Sequence, residues 1–255
     1  MKLYVFGTCS GTEPFPNRHH TAWALELDGR VYWFDAGESC AHTAHVMGVD
    51  LLSVSDIFIS HPHMDHVGGL PHLLWTIRKL SLRSKAQPKF GDVSVYIANK
   101  ECFDGVMGML LNAEGKYQAS YRTLRKRVTD GVICTQDGIT VTARHNLHVQ
   151  PTAEGYQSFS FLIEAQGKRI VYTGDLASLD EIEEFLADGC DLLLTETGHH
   201  SPTEICTRMA ERNVGQICFL HHGRPIMQNF DTLLAECRAI IPGVIFCNDK
   251  DVFEI

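Results

Sequence analysis

Short apolar runs alternate with amphipathic stretches along the whole chain. Runs rich in β-branched and aromatic residues predict strands at residues 2–6, 22–27, 31–34, 56–59, 93–97, 140–144, 159–164, 169–172, 192–195, 216–220, 244–246 and 251–254. Asp28-Gly29 between two such runs predicts a two-residue hairpin, and Gly167 marks a second. Helical spacing predicts helices at 68–80, 100–127 (with a break near Gly105 or Gly115), 179–188, 202–213 and 231–240. Residues 203–212 lack Gly and Pro, and Glu204 and Arg208 stand at i, i+4 spacing. The polar stretch 81–91 reads as a loop. Strands come first as hairpins and then alternate with helices. That order predicts an α/β fold of two facing sheets with helices outside, a four-layer αββα sandwich, built as a single domain over residues 1–255.

Composition narrows the class. A chain of 255 residues can bury a full core without a disulfide or metal staple. With 44% hydrophobic and 21% charged residues it is neither disordered, collagenous nor coiled coil. No run approaches the ~18–20 apolar residues of a membrane span. The opening M-K-L-Y-V-F-G is too short for a signal peptide, so a cytoplasmic chain is expected. Nine Cys without a C-x-x-C pair read as reduced thiols. The net charge of −9 gives no long-range attraction to nucleic acid. The outlying number is 14 His, which directs attention to metal or acid–base chemistry.

The densest histidine signal is S-H-P-H-M-D-H-V-G-G, directly after the apolar strand that ends near Ile59. His61, His63, Asp65 and His66 fall within six residues. Nitrogen and carboxylate ligands suit Zn²⁺ or Mn²⁺. Four donors so close in sequence do not easily serve one tetrahedral ion with an open position. They suit two adjacent ions, one on His61 and His63, the other on Asp65 and His66.

The H-x-H-x-D-H motif so placed resembles the metallo-β-lactamase superfamily. G-T-C-S-G-T at residues 7–12 and P-N-R-H-H-T at 16–21 resemble the opening of ribonuclease Z and its phosphodiesterase relatives, and W-F-D-A-G-E at 33–38 resembles the family's early aspartate motif. The resemblance implies that Asp35 supports the metal loop by orienting a ligating His. It also implies three further ligands. N-L-H points to His148, with His145 as rival. Y-T-G-D points to Asp175 as a carboxylate bridging two dications. I-C-F-L-H-H points to His221; its neighbour His222 would face the opposite way on an extended chain. The implied site holds His61, His63 and His148 on one ion, Asp65, His66 and His221 on the other, and Asp175 between them. An imidazole at position 63, where the flavodiiron branch has a carboxylate, favours redox-inert hydrolytic metal.

L-L-L-T-E-T-G-H-H-S-P at 192–202 resembles the ribonuclease Z segment in which a Glu and a His before Ser help protonate the leaving oxygen. Glu196 and His200 match, with His199 as the alternative. Asp65, Glu196 and His200 thus carry the implied catalytic roles. Asp175 follows His148 by 27 positions, leaving no room there for the arm that grips transfer RNA in ribonuclease Z. The clustered-Cys zinc site of phosphonate-pathway phosphodiesterases is absent too. Two basic clusters, Arg78, Lys79, Arg83, Lys85, Lys89 and Arg122, Arg125, Lys126, Arg127, read as solvated surface; Arg18 and Arg224 flank motif loops and are better candidates for a substrate phosphate. The expected function is a binuclear Zn²⁺ or Mn²⁺ phosphodiesterase acting on a small or cyclic nucleotide-like phosphodiester or an RNA end. A hydrolase of a lactone, thioester or β-lactam carbonyl is the alternative, and a non-catalytic metal-binding scaffold the second. No membrane partner is expected, and relatives of this fold often form homodimers.

Overall fold

A computed structural model describes residues 1–113 and 117–255, so the helix break expected near Gly115 lies outside the described residues. Two compact units form, Met1–Arg127 with Asn248–Ile255, and Val128–Cys247.

The first unit begins with β1 (Lys2–Gly7), β2 (Ala22–Leu27) and β3 (Arg30–Phe34), continues through α1 (Cys40–Val46), β4 (Val54–Phe58), α2 (Met64–Val67), α3 (Leu70–Ser84), β5 (Val93–Tyr96), α4 (Lys100–Asn112) and β6 (Thr123–Lys126), and takes in the last strand, β14 (Val252–Glu254). Its sheet runs β14-β1-β2-β3-β4-β5-β6. Pairing is antiparallel up to β3 and parallel beyond it. Asp28 and Gly29 both take positive φ, 51° and 77°, the geometry of a type I′ turn that matches strand twist. Leu70, Leu73, Leu74 and Ile77 form the buried stripe of α3 and join one core with Ile57, Ile59, Val93 and Val95. Across β2–β5, Trp23, Phe34, Phe58 and Tyr96 stack as one cross-strand row with centroids 4.2, 4.9 and 4.5 Å apart.

The second unit holds β7 (Gly131–Gln136), β8 (Ile139–Asn146), β9 (Ser158–Ala165), β10 (Lys168–Tyr172), α5 (Glu183–Leu186), β11 (Cys190–Thr197), α6 (Pro202–Met209), β12 (Val214–His222), α7 (Arg224–Gln228), α8 (Phe230–Ile240) and β13 (Ile245–Phe246). Its sheet runs β13-β12-β11-β10-β9-β8-β7, antiparallel from β7 to β10 and parallel from β10 to β13. Ile205, Cys206 and Met209 of α6 and Cys237 of α8 share a core with Leu193, Ile217 and Phe219.

Several expected bounds shift. The helix expected over 100–127 ends at Asn112, and Thr123–Lys126 forms β6 instead. T-L-R-K favours helix locally, but parallel pairing with β5 overrides that weak preference. The helix expected over 68–80 is a separate turn, α2, followed by α3, which runs on to Ser84 into the stretch read as loop. α1, β7 and α7 were not expected; the Asp137-Gly138 pair, with φ of 46° and 81°, is the type I′ signal that marks β7. Among the described residues no helix is long and apolar enough to cross a membrane.

Candidate metal centre

In the first unit the motif loop leaves the C-terminal end of β4, where open α/β sheets place their ligands. Asp35 lies just past β3 with φ 52°, a left-handed conformation that Asp tolerates better than most residues. Its Oδ1 accepts from the Ser60 backbone N–H at 2.7 Å, and its Oδ2 from the Ser60 hydroxyl and His66 Nδ1–H, each at 2.7 Å. A carboxylate only accepts, so His66 carries its proton on Nδ1 and turns Nε2 toward Asp65 Oδ2, 3.5 Å away. The Ser60 proton is committed to Asp35, so Ser60 Oγ accepts from His61 Nδ1–H at 3.0 Å. That leaves the His61 lone pair on Nε2, 3.1 Å from His63 Nδ1. One buried carboxylate thus sets two imidazole tautomers.

Glycine allows this loop to close. A Cβ on Gly69 would lie 2.0 Å from the Gly37 carbonyl oxygen, so the G-G after the motif and the Gly of W-F-D-A-G-E pack backbone to backbone. Gly69 N–H donates to the Ala36 carbonyl at 2.7 Å in the same contact. We expect Gly69→Ala to cost about 1–3 kcal/mol of unfolding free energy through overpacking. A denaturation midpoint equal to that of the parent would refute this. Gly11 approaches in the same way, with its Cβ position 3.0 Å from Asp65 Oδ2.

In the second unit Asp175 follows β10 and is 2% exposed. Its Oδ2 lies 3.5 Å from His148 Nε2, 3.3 Å from His221 Nε2 and 3.8 Å from His199 Nδ1. The neighbouring histidines are engaged elsewhere. His222 is fully buried, its Nε2–H donating to the Cys247 carbonyl at 3.0 Å and its Nδ1 2.9 Å from Thr197 Oγ1. His145 donates backbone and ring N–H to Asp130, both at 2.7 Å, and stacks on Tyr156. His221 has φ 50°, a strained value for His that turns it away from the regular strand alternation.

Glu196 sits at the end of β11, 2% exposed. Its Oε2 accepts from the His199 backbone N–H at 2.7 Å; its Oε1 accepts from His199 Nδ1–H at 3.1 Å and from Leu176 N–H at 3.3 Å. Burial opposes charge there, but the hydrogen bonds from His199 and the His221 imidazole 3.8 Å away hold the carboxyl well below the usual carboxylate range. The Glu196 hydrogen bond, against partial burial, raises the His199 pKa. His200 Nε2 meets the Leu176 carbonyl at 3.1 Å. His199 stands beside the candidate ligands, with its ring 4.8 Å from that of His148 and 5.6 Å from that of His221. The ligand atoms of His148, Asp175 and His199 all lie within 4.8 Å of one another, and so do those of Glu196, His199 and His221. Converging imidazole nitrogens and carboxylate oxygens form a donor set that fits Zn²⁺ or Mn²⁺.

Other candidates have structural occupations. Arg18 donates to Thr8 Oγ1 at 2.7 Å and to Asn248 Oδ1 at 2.6 Å, pinning the N-terminal loop to the C-terminal turn. Arg122 pairs with Asp92, and Arg125 donates to the Ala98 carbonyl. Burial pushes the Cys9 thiol up to about 11 and the Cys40 thiol up to about 12, so neither is a ready nucleophile.

The family model described as Anti-Pycsar protein Apyc1 matches residues 1–231. A ribonuclease Z of Shouchella clausii is 26% identical over an alignment covering 100% of this chain and 97% of that protein. A ribonuclease Z of Treponema pallidum is 39% identical over 74 residues, 29% of this chain and 24% of that protein, so the match spans about a quarter of its length. The solved metallo-β-lactamase fold protein YhfI from Bacillus subtilis superposes with a TM-score of 0.76 at 18% identity, covering 99% of each chain. The likeness bears out the expected fold class, mixed sheets flanked by helices.

Proposed function

Because the chain belongs to the anti-Pycsar protein Apyc1 family, on the ribonuclease Z and phosphodiesterase side of the metallo-β-lactamase superfamily, we propose that it is a binuclear metal-dependent phosphodiesterase for a small, cyclic nucleotide-like phosphodiester. The observation that carries this reading is Asp175, one carboxylate oxygen of which meets two histidine Nε2 atoms at 3.3 and 3.5 Å. A carboxylate so placed is suited to sit between two cations and offset their repulsion. By the family resemblance, His61, His63 and His148 would hold one ion and Asp65, His66 and His221 the other, with Asp175 shared. When bound, such ions would supply a water nucleophile at neutral pH and would take up charge on phosphoryl oxygens.

The chain's own residues do the rest. Asp35 holds the His66 tautomer and, through Ser60, that of His61. Glu196 holds the His199 ring and backbone, and His199 then offers a proton to the departing oxygen. A small substrate is favoured because β9 and β10 fill most of the short interval between His148 and Asp175, where an RNA-gripping arm would be inserted.

The test is the initial rate on bis(p-nitrophenyl) phosphate and on 3′,5′-cyclic nucleotides after loading with Zn²⁺ or Mn²⁺. We expect turnover that a chelator abolishes and added metal restores. Fully loaded protein that hydrolyses lactones or thioesters but no phosphodiester would overturn the assignment.

A further inference from the structure

We propose that Glu181 is a positioning residue that ties the loop carrying His148 to the loop carrying Asp175, and so sets the spacing of these two cation ligands. The proposal rests on the metal-site reading above. Glu181 lies in the 3₁₀ turn Leu179–Ile182 and reads as the third position of an ordinary capping box begun by Ser178. A capping box needs one carboxylate oxygen. Here Oε2 fills that role, accepting from Ser178 N–H at 3.1 Å and Ala177 N–H at 2.9 Å. Oε1 is used elsewhere. It accepts from the backbone N–H of Leu147 at 2.7 Å, on a loop 34 residues away.

Leu147 immediately precedes His148, and Ala177 stands two residues after Asp175. One carboxylate therefore spans the two loops whose side chains meet at His148 Nε2 and Asp175 Oδ2, 3.5 Å apart. On the near side of the same loop Leu176 N–H goes to Glu196. Three successive backbone donors, at 176, 177 and 178, thus end on two carboxylates, and each carboxylate also reaches a histidine-bearing loop: Glu196 that of His199, Glu181 that of His148. Hydrogen bonds to an ionised carboxylate are the stronger, shorter kind, which makes the tie stiff. An isosteric amide cannot reproduce it, because the –NH₂ side of Gln donates and cannot accept from either loop.

The test uses metal-free full-length protein and two readouts, the Zn²⁺ binding isotherm and backbone amide hydrogen exchange. For Glu181→Gln we expect Zn²⁺ affinity to fall by about 10- to 100-fold, as for loss of groups that orient metal ligands. The amide of Leu147 or those of Ala177 and Ser178 should exchange faster. Glu181→Asp keeps the charge but is one methylene too short to reach both loops, and should lose affinity as well. Ser178→Ala removes the other half of the capping box and leaves the Leu147 contact, so it should bind Zn²⁺ like the parent. Parental affinity in Glu181→Gln or Glu181→Asp would overturn the proposal. So would an equal loss in Ser178→Ala, which would reduce Glu181 to a cap. Failure of the phosphodiesterase reading would appear differently, as tight metal binding without turnover of any phosphodiester.

Discussion

Asp175→Ala is expected to abolish phosphodiester turnover, lowering the rate by about a thousandfold or more, roughly 4 kcal/mol of transition-state stabilisation at 1.36 kcal/mol per decade. The reason lies in where its charge sits. Asp175 is 2% exposed and presents one oxygen to His148 Nε2 and His221 Nε2. Removing it leaves two converging imidazoles with no shared carboxylate, and any cations between them would repel without a bridging anion. Metal content should fall together with rate. Stability of the metal-free chain should behave in the opposite way. A buried carboxylate that no cation balances carries a desolvation cost, so the metal-free variant should unfold no earlier than the metal-free parent. Rate and metal content can be followed together by titrating Zn²⁺ into each protein and assaying bis(p-nitrophenyl) phosphate at each point. A variant that keeps parental metal stoichiometry and parental rate would remove Asp175 from the chemistry.

The contrast between what the residue pattern discloses and what it hides follows from the range over which each contact acts. β11 and β12 were legible because both sheet faces are buried there, and buried parallel strands read as continuous apolar runs. β6 and β7 are edge strands of partly exposed residues, T-L-R-K and G-V-I-C-T-Q, without a clear alternation to follow. α1 hides for another reason. Its buried face is Ala41 and Ala44 with Cys40 and Thr43, side chains too small to give a strong apolar period. The site divides in the same way. His61, His63, Asp65 and His66 announce themselves because a single loop carries them all. His148, Asp175 and His221 stand alone in sequence and came only through the family resemblance. Glu181 could not be singled out, since S-L-D-E is an unremarkable helix start and its second oxygen meets a residue 34 positions away.

His199 and His200 show the limit most sharply, and they yield the second large effect. The motif pattern weights His200, because Ser201 follows it. The backbone favours His199. Its N–H and ring Nδ1–H both bind Glu196, which turns the ring toward Asp175, His148 and His221, whereas His200 Nε2 is taken up by the Leu176 carbonyl. If His199 delivers the proton to the leaving oxygen, its loss should depend on how badly that oxygen needs one. A ribose alkoxide needs it; p-nitrophenolate is a stable anion and leaves unaided. His199→Ala should therefore slow hydrolysis of a 3′,5′-cyclic nucleotide by about 10²–10⁴-fold, the usual worth of general acid catalysis. The rate on bis(p-nitrophenyl) phosphate should change little, and Zn²⁺ stoichiometry should hold. His200→Ala should leave both substrates near the parental rate. Equal losses on both substrates with loss of metal would make His199 a ligand rather than a proton donor. A leaving-group-dependent loss in His200→Ala alone would return the role to the residue that the motif favours.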